Sequence, residues 1–137
     1  MIVEAEMKQS NLRFTNPIVT KFNFLVNQQY IKTETVSIQN SFAVEISKSA
    51  DTNEAIIQLN ILVGEKEFTE NIPFYVDMTI GAKFLWDDVY DDETLQDLLS
   101  KNAPALLLGY ARPLIANMTS AGPMATYNLP FYNFIDN

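Results

Sequence analysis

The sequence contains neither cysteine nor histidine, and these two absences remove much of the common catalytic and metal-binding chemistry. Without cysteine the chain forms no disulfide, has no thiolate nucleophile and offers no sulfur ligand to zinc. Without histidine it lacks the commonest general base, the Ser-His-Asp triad and the commonest metal ligand. Its 4 glycines are too scattered to form a phosphate-binding loop. We therefore expect a protein that is not an enzyme and that holds no metal or cofactor.

Positive charge is also scarce, because 9 lysines and arginines stand against 17 aspartates and glutamates, for a net charge of −8. Such a chain repels phosphate backbones, so nucleic acid is not an expected partner. The acidic surface would attract basic or unfolded cationic segments, although it also serves simply to keep a sticky protein in solution. The second explanation is the more general one, because net charge bears more directly on solubility than on partners.

Long hydrophobic runs are missing as well. No apolar run approaches the length of a transmembrane helix, and the first residues lack the basic start and apolar core of a signal peptide. We therefore expect a cytoplasmic protein without membrane insertion. The 137 residues, of which 47% are hydrophobic and 19% charged, suit a single globular domain over residues 1–137.

Alternating apolar residues in the first two thirds of the chain predict β-strands. Four such runs cover residues 12–26, 36–46, 55–63 and 68–84, and Asn40 alone interrupts the apolar face of the second run. Pro17 predicts a strand start, a bulge or an edge position, because proline cannot donate to a ladder. The runs follow one another without helices, and Gly64-Glu65 suggests a tight hairpin, so we expect an antiparallel meander. The longer connection over residues 27–35 is a candidate crossover.

The last third of the chain is predicted to be helical. Acidic residues between Asp87 and Glu93 suit the start of a short helix, where they complement the helix dipole. Asn102 is expected to cap a second helix, with Pro104 in its first turn. Apolar residues then recur at spacings of three and four along one face of that helix: Leu107, Ala111, Leu114, Ile115 and Met118. The fold class is therefore α+β, with a four-stranded antiparallel sheet covered on one side by a long C-terminal helix.

An aromatic tail, residues 124–137, follows the helix. It is rich in large apolar side chains yet shows neither helical nor strand periodicity: Tyr127, Leu129, Phe131, Tyr132 and Phe134. Such a segment must pack on another surface. It either staples the sheet or lines a groove for apolar side chains of a ligand, and composition slightly favours the staple. One helix is not expected to cover a four-stranded sheet with apolar residues on both faces, which suggests oligomerisation or a binding groove.

Two groups of residues are candidate chemical sites. The carboxylates Asp77, Asp87, Asp88 and Asp91 could serve an enzyme that uses carboxylates alone, but their spacing fits no calcium loop and a solvated helix start explains most of them. Tyr110 and Arg112 could present a phenol and a guanidinium to a ligand. A tyrosine anchored at the core edge beside a salt-bridging arginine is the commoner arrangement on such a helix.

Residues 105–134 resemble a known family. The helix carries Tyr110-Ala111-Arg112, and Ile115, Met118, Ser120 and Gly122 follow before Asn128-Leu129 and Asn133-Phe134. This pattern of about 30 residues is similar to the long helix and following crossover loop of SecB, the chaperone of bacterial protein export. Upstream, Val63-Gly64-Glu65 is similar to a hairpin turn of that family, which is a weaker likeness.

The resemblance implies a SecB-like fold and an assembly of two or four copies. It also implies binding of unfolded or precursor polypeptides in an apolar groove beside the crossover loop, followed by delivery to the translocase motor SecA. The groove residues carried over are Tyr127, Leu129, Pro130, Phe131 and Phe134. The oligomer interface carried over is Leu107, Leu114, Ile115 and Met118, and Glu65 is a possible partner contact.

The resemblance also has gaps. The chain is expected to lack the second helix and the mobile tail of that family. In the family that tail contacts the motor SecA. The family includes short, uncharacterised Gram-positive proteins and chaperones of toxin–antitoxin systems. The first hypothesis is therefore an ATP-independent, SecB-like chaperone of unfolded polypeptides. The alternative is an oligomeric adaptor or structural protein of the same fold, with a dedicated partner and no export role.

Overall fold

The predicted strands and helices fold into one sheet with a helical rod across it. The computed structural model describes residues 1–4, 10–32 and 36–135. The strands are β1 (Leu12–Phe14), β2 (Ile18–Val26), β3 (Asn40–Lys48), β4 (Glu54–Gly64) and β5 (Phe74–Trp86). The rod consists of α1 (Asp92–Asp97), a π-helical turn (Leu98–Asn102) and α2 (Ala103–Thr119). The predicted α+β class is therefore confirmed.

The five strands form four antiparallel rows, because β1 and β2 share one edge. Both pair with β5, and the break between them contains Pro17, as the sequence predicted for a proline at a strand edge. β5 pairs on its other side with β4, and β4 pairs with β3, which forms the second edge. The predicted meander is wrong at one point, since β2 lies beside β5 and not beside β3. The connection between β2 and β3 therefore runs from one edge of the sheet to the other.

The turn after β4 is longer than the sequence suggested. β5 begins at Phe74, so residues 65–73 form a loop in place of a tight hairpin and the first part of the predicted strand. Asn27 holds this loop, because its Nδ2 donates to the carbonyl oxygens of Thr69 (2.9 Å) and Ile72 (2.8 Å). Gly64 sits at the start of the loop with a φ of +78°, a conformation that favours glycine.

The hydrophobic core lies between one face of the sheet and α2. Alternate residues of β4 and β5 are fully buried there, including Ile57, Leu59 and Met78. Across from them, the helical rod contributes a buried stripe at four-residue spacing: Leu99, Ala103, Leu107, Ala111 and Ile115. The opposite face of the sheet is open and carries a polar centre, so the predicted one-sided cover is confirmed.

The buried stripe begins in the π-helical turn, so the rod is continuous from residue 92 to residue 119. Asn102 has helical backbone angles and makes no capping bond, so the predicted start of a separate second helix is wrong. The rod is capped by Asp91, whose carboxylate accepts a hydrogen bond from the backbone N–H of Thr94 at 2.7 Å. That bond lowers the pKa of the Asp91 carboxyl. Among the helices described, none is long and apolar enough to cross a membrane.

Candidate functional site

The aromatic tail runs back along the covered face of the sheet, towards β3. Leu129 is buried in the core, and Tyr127 and Phe134 pack against it with partial exposure. Within the described residues, no backbone–backbone hydrogen bond joins residues 123–135 to the rest of the chain. One backbone N–H, that of Tyr127, donates to the hydroxyl of Thr119 at 3.0 Å. The tail is thus attached mainly through its side chains.

An aromatic cluster forms where the tail meets β3. Phe42 of β3 packs edge-on against the ring of Tyr132, with 4.9 Å between ring centroids, and against Phe134 at 5.9 Å. Tyr127 lies on the inner side of this cluster, where its ring is 5.9 Å from that of Phe74. Such tilted and edge-to-face arrangements are the favoured geometries of aromatic pairs. The cluster is partly open to solvent and borders the edge of the sheet.

Asn40 holds two tyrosines of the tail with a single amide group. Its Nδ2 donates to the hydroxyl oxygens of Tyr127 (2.8 Å) and Tyr132 (2.7 Å). Its Oδ1 is buried and has no hydrogen-bond partner among the described residues. Burial raises the pKa of the Tyr127 hydroxyl, and the bond from Asn40 offsets part of that rise.

Asn40 was not among the predicted site residues. One sequence feature nevertheless pointed to it, because Asn40 is the one polar residue on the otherwise apolar face of its strand. A polar group on a buried face is expected to have a partner. In this fold the partners come from the tail, which lies about 90 residues further along the chain.

Arg112 of α2 positions the tip of the tail. Its guanidinium donates to the carbonyl oxygen of Pro130 at 2.6 Å and lies 4.2 Å from the centroid of the Phe131 ring. Among the described residues, Arg112 therefore contacts a carbonyl oxygen and an aromatic ring and makes no ion pair. Tyr110 lies on the outer side of α2 against Phe14, at 6.1 Å between ring centroids. The two residues thus contact different neighbours and do not form a shared ligand site.

The groove residues predicted from the resemblance fall into two groups. Leu129 is 5% exposed and Tyr127 is half-buried, so both side chains mainly attach the tail to the sheet. Phe131 is 92% exposed and Pro130 is exposed beside it, while Phe134 belongs to the cluster on Phe42. Leu129 and Tyr127 therefore agree with the staple, and a groove lined by Pro130, Phe131 and Phe134 stays a prediction.

β3 is the edge of the sheet next to this cluster. Its nine residues pair with β4 on one side and with no strand of the described chain on the other. An open edge presents unpaired N–H and C=O groups, to which an extended polypeptide can add as a further strand. Aromatic rings and free backbone groups therefore lie side by side.

The interface residues predicted on α2 divide in the same way. Leu107 and Ile115 are fully buried against the sheet of their own chain, so within this fold they are core residues. Leu114 and Met118 are about 40% and 41% exposed on the outer side of the helix. A predicted interface on this helix therefore rests on Leu114 and Met118, with Tyr110 beside them.

Glu65 follows the end of β4 that pairs with the start of β3, so it lies at the same end of these strands as Asn40, and both residues line a depression of about 710 Å³. Glu65 is exposed there, near Phe68 and Tyr75. In the part of the chain that the structure describes, no group of three acidic side chains converges as a metal site would require. Asp87 instead pairs with Arg13 at 3.2 Å, and Asp88 binds Asn53.

Comparison with known proteins gives the fold a precedent. At the level of sequence, neither a protein family nor a curated protein matches the chain. In structure, it is similar to a SecB-like chaperone of Mycobacterium tuberculosis in complex with a ChAD peptide from the HigA1 antitoxin, with a TM-score of 0.71 and 12% identity. That match covers 88% of this chain and 90% of that one. A protein of unknown function from Streptococcus agalactiae aligns over 88% of this chain and 97% of its own, with a TM-score of 0.44 and 12% identity. The first likeness shows a SecB-like fold.

Proposed function

We propose that this chain is an ATP-independent chaperone that binds unfolded or precursor polypeptides beside β3. The observation that carries the proposal is the juxtaposition of an aromatic cluster, around Phe42, with an unpaired strand edge. Phe131 extends this apolar surface into solvent, where it is 92% exposed. Large exposed aromatic side chains on a well-ordered scaffold are typical of sites that bind other polypeptides.

The two parts of the site would recognise different features of a client. Backbone groups of β3 would pair with the backbone of an extended segment whatever its sequence, and the rings of Phe42 and Phe131 would contact its apolar side chains. The net charge of −8 would favour clients with basic residues and speed their encounter at low salt. The peptide bound by the mycobacterial neighbour supports a polypeptide ligand for a protein of this fold.

The test is suppression of aggregation of a chemically denatured client, together with binding of labelled peptides. Phe131→Asp places a charge at an exposed position, so the fold should persist while apolar contact is lost. Val89→Asp, at another exposed apolar residue, is the matched control. We expect Phe131→Asp to weaken binding about tenfold or more and the control to leave it unchanged. Equal activity of Phe131→Asp and wild type would contradict this site, and a wild type without client binding would contradict the function.

Leu129 is not a suitable position for the same test. It is 5% exposed, so a charge there would be buried without a partner and would unfold the tail or the domain. Loss of activity in a Leu129→Asp variant would therefore report on folding.

A contact of Glu65 with the export motor SecA is a separate part of the proposal, and binding of purified SecA to wild-type and Glu65→Lys protein would test it.

The alternative function, an oligomeric adaptor, is favoured by a second apolar surface. Phe14, Tyr110, Leu114 and Met118 are exposed on the outer side of α2 and the neighbouring strand edge. This patch suits a second copy or one dedicated partner, because a fixed interface needs one exposed apolar surface on a well-ordered element. Sedimentation mass and a client screen separate the two functions. A stable oligomer that ignores unfolded proteins supports the adaptor, and Leu114→Lys with Met118→Lys should then break the oligomer.

A further inference from the structure

We propose that the aromatic tail occupies the client site in the free protein and that preferred clients displace it with two aromatic side chains spaced two residues apart. This inference rests on the proposed chaperone function and concerns its regulation and specificity. The occupant is the chain's own triplet Tyr132-Asn133-Phe134. In the free protein it takes the place that an aromatic-x-aromatic segment of a client takes in the complex.

The first observation is the spacing of the rings on Phe42. Tyr132 and Phe134 contact the same phenylalanine, at 4.9 Å and 5.9 Å between centroids. Side chains two residues apart point to the same side of an extended segment, so both rings reach one surface. An extended client with the same spacing would present its rings to Phe42 in the same manner. Clients with adjacent aromatic residues would present only one.

The second observation is how little holds the triplet in place. No backbone–backbone hydrogen bond joins residues 123–135 to the described remainder of the chain, so its departure would break no ladder. A client can use the unpaired edge of β3 in addition to the rings, whereas the triplet is held by its two rings and by the Tyr132 hydroxyl, which accepts from Asn40. The client therefore gains contacts that the tail does not make, which allows displacement.

The third observation marks where the movable part begins. Leu129 is buried, and the guanidinium of Arg112 binds the carbonyl oxygen of Pro130. The guanidinium also lies 4.2 Å from the centroid of the Phe131 ring, so these contacts hold the tail as far as residue 131. Beyond them, Ile135 is largely exposed, and Tyr132 and Phe134 are attached through Phe42 and Asn40. Displacement would thus move residues 132–135 about an anchored base.

Asn40 sets the balance between tail and client. Its amide nitrogen binds the hydroxyls of Tyr127 and Tyr132, while its buried Oδ1 has no partner within the described residues. A buried acceptor without a donor is unfavourable, so the state with the tail in place leaves this group unsatisfied. A client that brings a backbone or side-chain N–H to this oxygen would satisfy it. Asn40 is therefore a specificity-determining residue that favours exchange over permanent closure.

The experiment measures the affinity of a labelled extended peptide with one Tyr-x-Phe triplet for wild type and for a Tyr132→Ala, Phe134→Ala double variant. A self-occupied site weakens apparent affinity by the fraction of time that it is open, so a tail bound nine-tenths of the time weakens binding about tenfold. We expect the double variant to bind several-fold tighter than wild type. Val89→Ala, at an exposed apolar residue outside both candidate surfaces, should bind like wild type.

The sign of the change separates the possible outcomes. If the two rings form a wall of the groove, the double variant binds more weakly, and this result would overturn the inference while the proposed function stands. Unchanged affinity would overturn it as well. If neither protein binds any peptide, the proposed function fails with it. If the double variant does not fold, Tyr132→Phe, which removes one exposed hydroxyl, should still tighten binding, and a failure to do so would refute the role of Asn40.

Peptide sequence and competition in trans provide two further readouts. A peptide with the same composition but adjacent Tyr and Phe should bind wild type more weakly than the Tyr-x-Phe peptide. A free peptide with the sequence of residues 131–135 should bind the double variant and compete with the client peptide. Equal affinity for the two client peptides would refute the spacing rule, and absence of competition would refute occupancy by the tail.

Discussion

Replacement of Asn27 by alanine should destabilise the whole fold, because this side chain joins the end of β2 to the loop after β4 in addition to the backbone bonds Asn27 N–H to Pro73 O and Ile31 N–H to Glu70 O. Asn27 is 7% exposed, and its Nδ2 donates to Thr69 and Ile72 while its Oδ1 accepts the N–H of Gln29 at 3.0 Å. Alanine would leave two carbonyl oxygens and one N–H without these partners. Since water reaches the partly exposed loop and replaces some of the lost bonds, we expect a loss of about 2 to 3 kcal/mol in unfolding free energy.

Urea unfolding followed by tryptophan fluorescence would measure this loss. Trp86 is the single tryptophan and is 6% exposed, so its emission reports the transition from a buried to a solvated ring. For a protein of this size the expected loss lowers the unfolding midpoint by about 1 to 2 M urea. Asn23→Ala, at an exposed asparagine on the same strand, should change stability by less than about 0.5 kcal/mol. If the two variants lost the same free energy, the hydrogen bonds of Asn27 would not hold the loop.

Two further predictions concern backbone strain and pH. Gly64→Ala should destabilise by at least about 2 kcal/mol, because φ is +78° and an added Cβ would collide with the carbonyl oxygen of Phe74. Gly109→Ala, where the Cβ meets nothing within 4 Å, should stabilise by up to about 1 kcal/mol; similar urea midpoints for both would refute the strain argument. Partial burial raises the pKa of the Asp77 carboxyl, but the hydrogen bonds from Lys21 and Asn60 outweigh burial and lower it overall. The stabilisation by the Asp77 carboxylate is thus present above the unfolded pKa of about 3.9 and is lost as pH falls through that region. Wild type should therefore lose stability more steeply than Asp77→Asn between about pH 5 and 3. Parallel acid titrations of the two stabilities would count against the Lys21–Asp77 pair.

The strands were predictable because their periodicity reflects burial on one face. In β4 the alternation of Ile57, Leu59 and Ile61 with polar residues appears in the structure as alternating buried and half-exposed positions. The pairing of β2 with β5 was not predictable from pattern alone, since an apolar alternation says which face is buried but not which neighbour supplies the ladder. The length of the loop after β4 depends on Asn27, a tertiary contact that lies outside any local pattern.

The continuous helical rod shows a similar limit. Asn102 followed by Pro104 is a reasonable signature of a helix start, because both residues are common there. In the structure the stripe of Leu99, Ala103 and Leu107 runs through this point, and burial of all three requires the helix to continue. A π-helical turn accommodates the change in register. Core packing therefore overrides the local signal.

The candidate site was partly predictable because aromatic residues without periodicity must contact another surface. The sequence did not predict which of these residues is buried, because Leu129 and Phe131 look alike in sequence. Their burial differs because Arg112 and β3 determine where each side chain lies. Asn40 decides the arrangement, because one amide group connects the strand edge to the tail at two points, while its acceptor oxygen has no partner among the described residues. A tail needed only for stability would be better served by a residue without such an oxygen, as buried polar groups are costly unless paired. This arrangement agrees with a contact that can be exchanged, as the proposed displacement of the tail by a polypeptide requires.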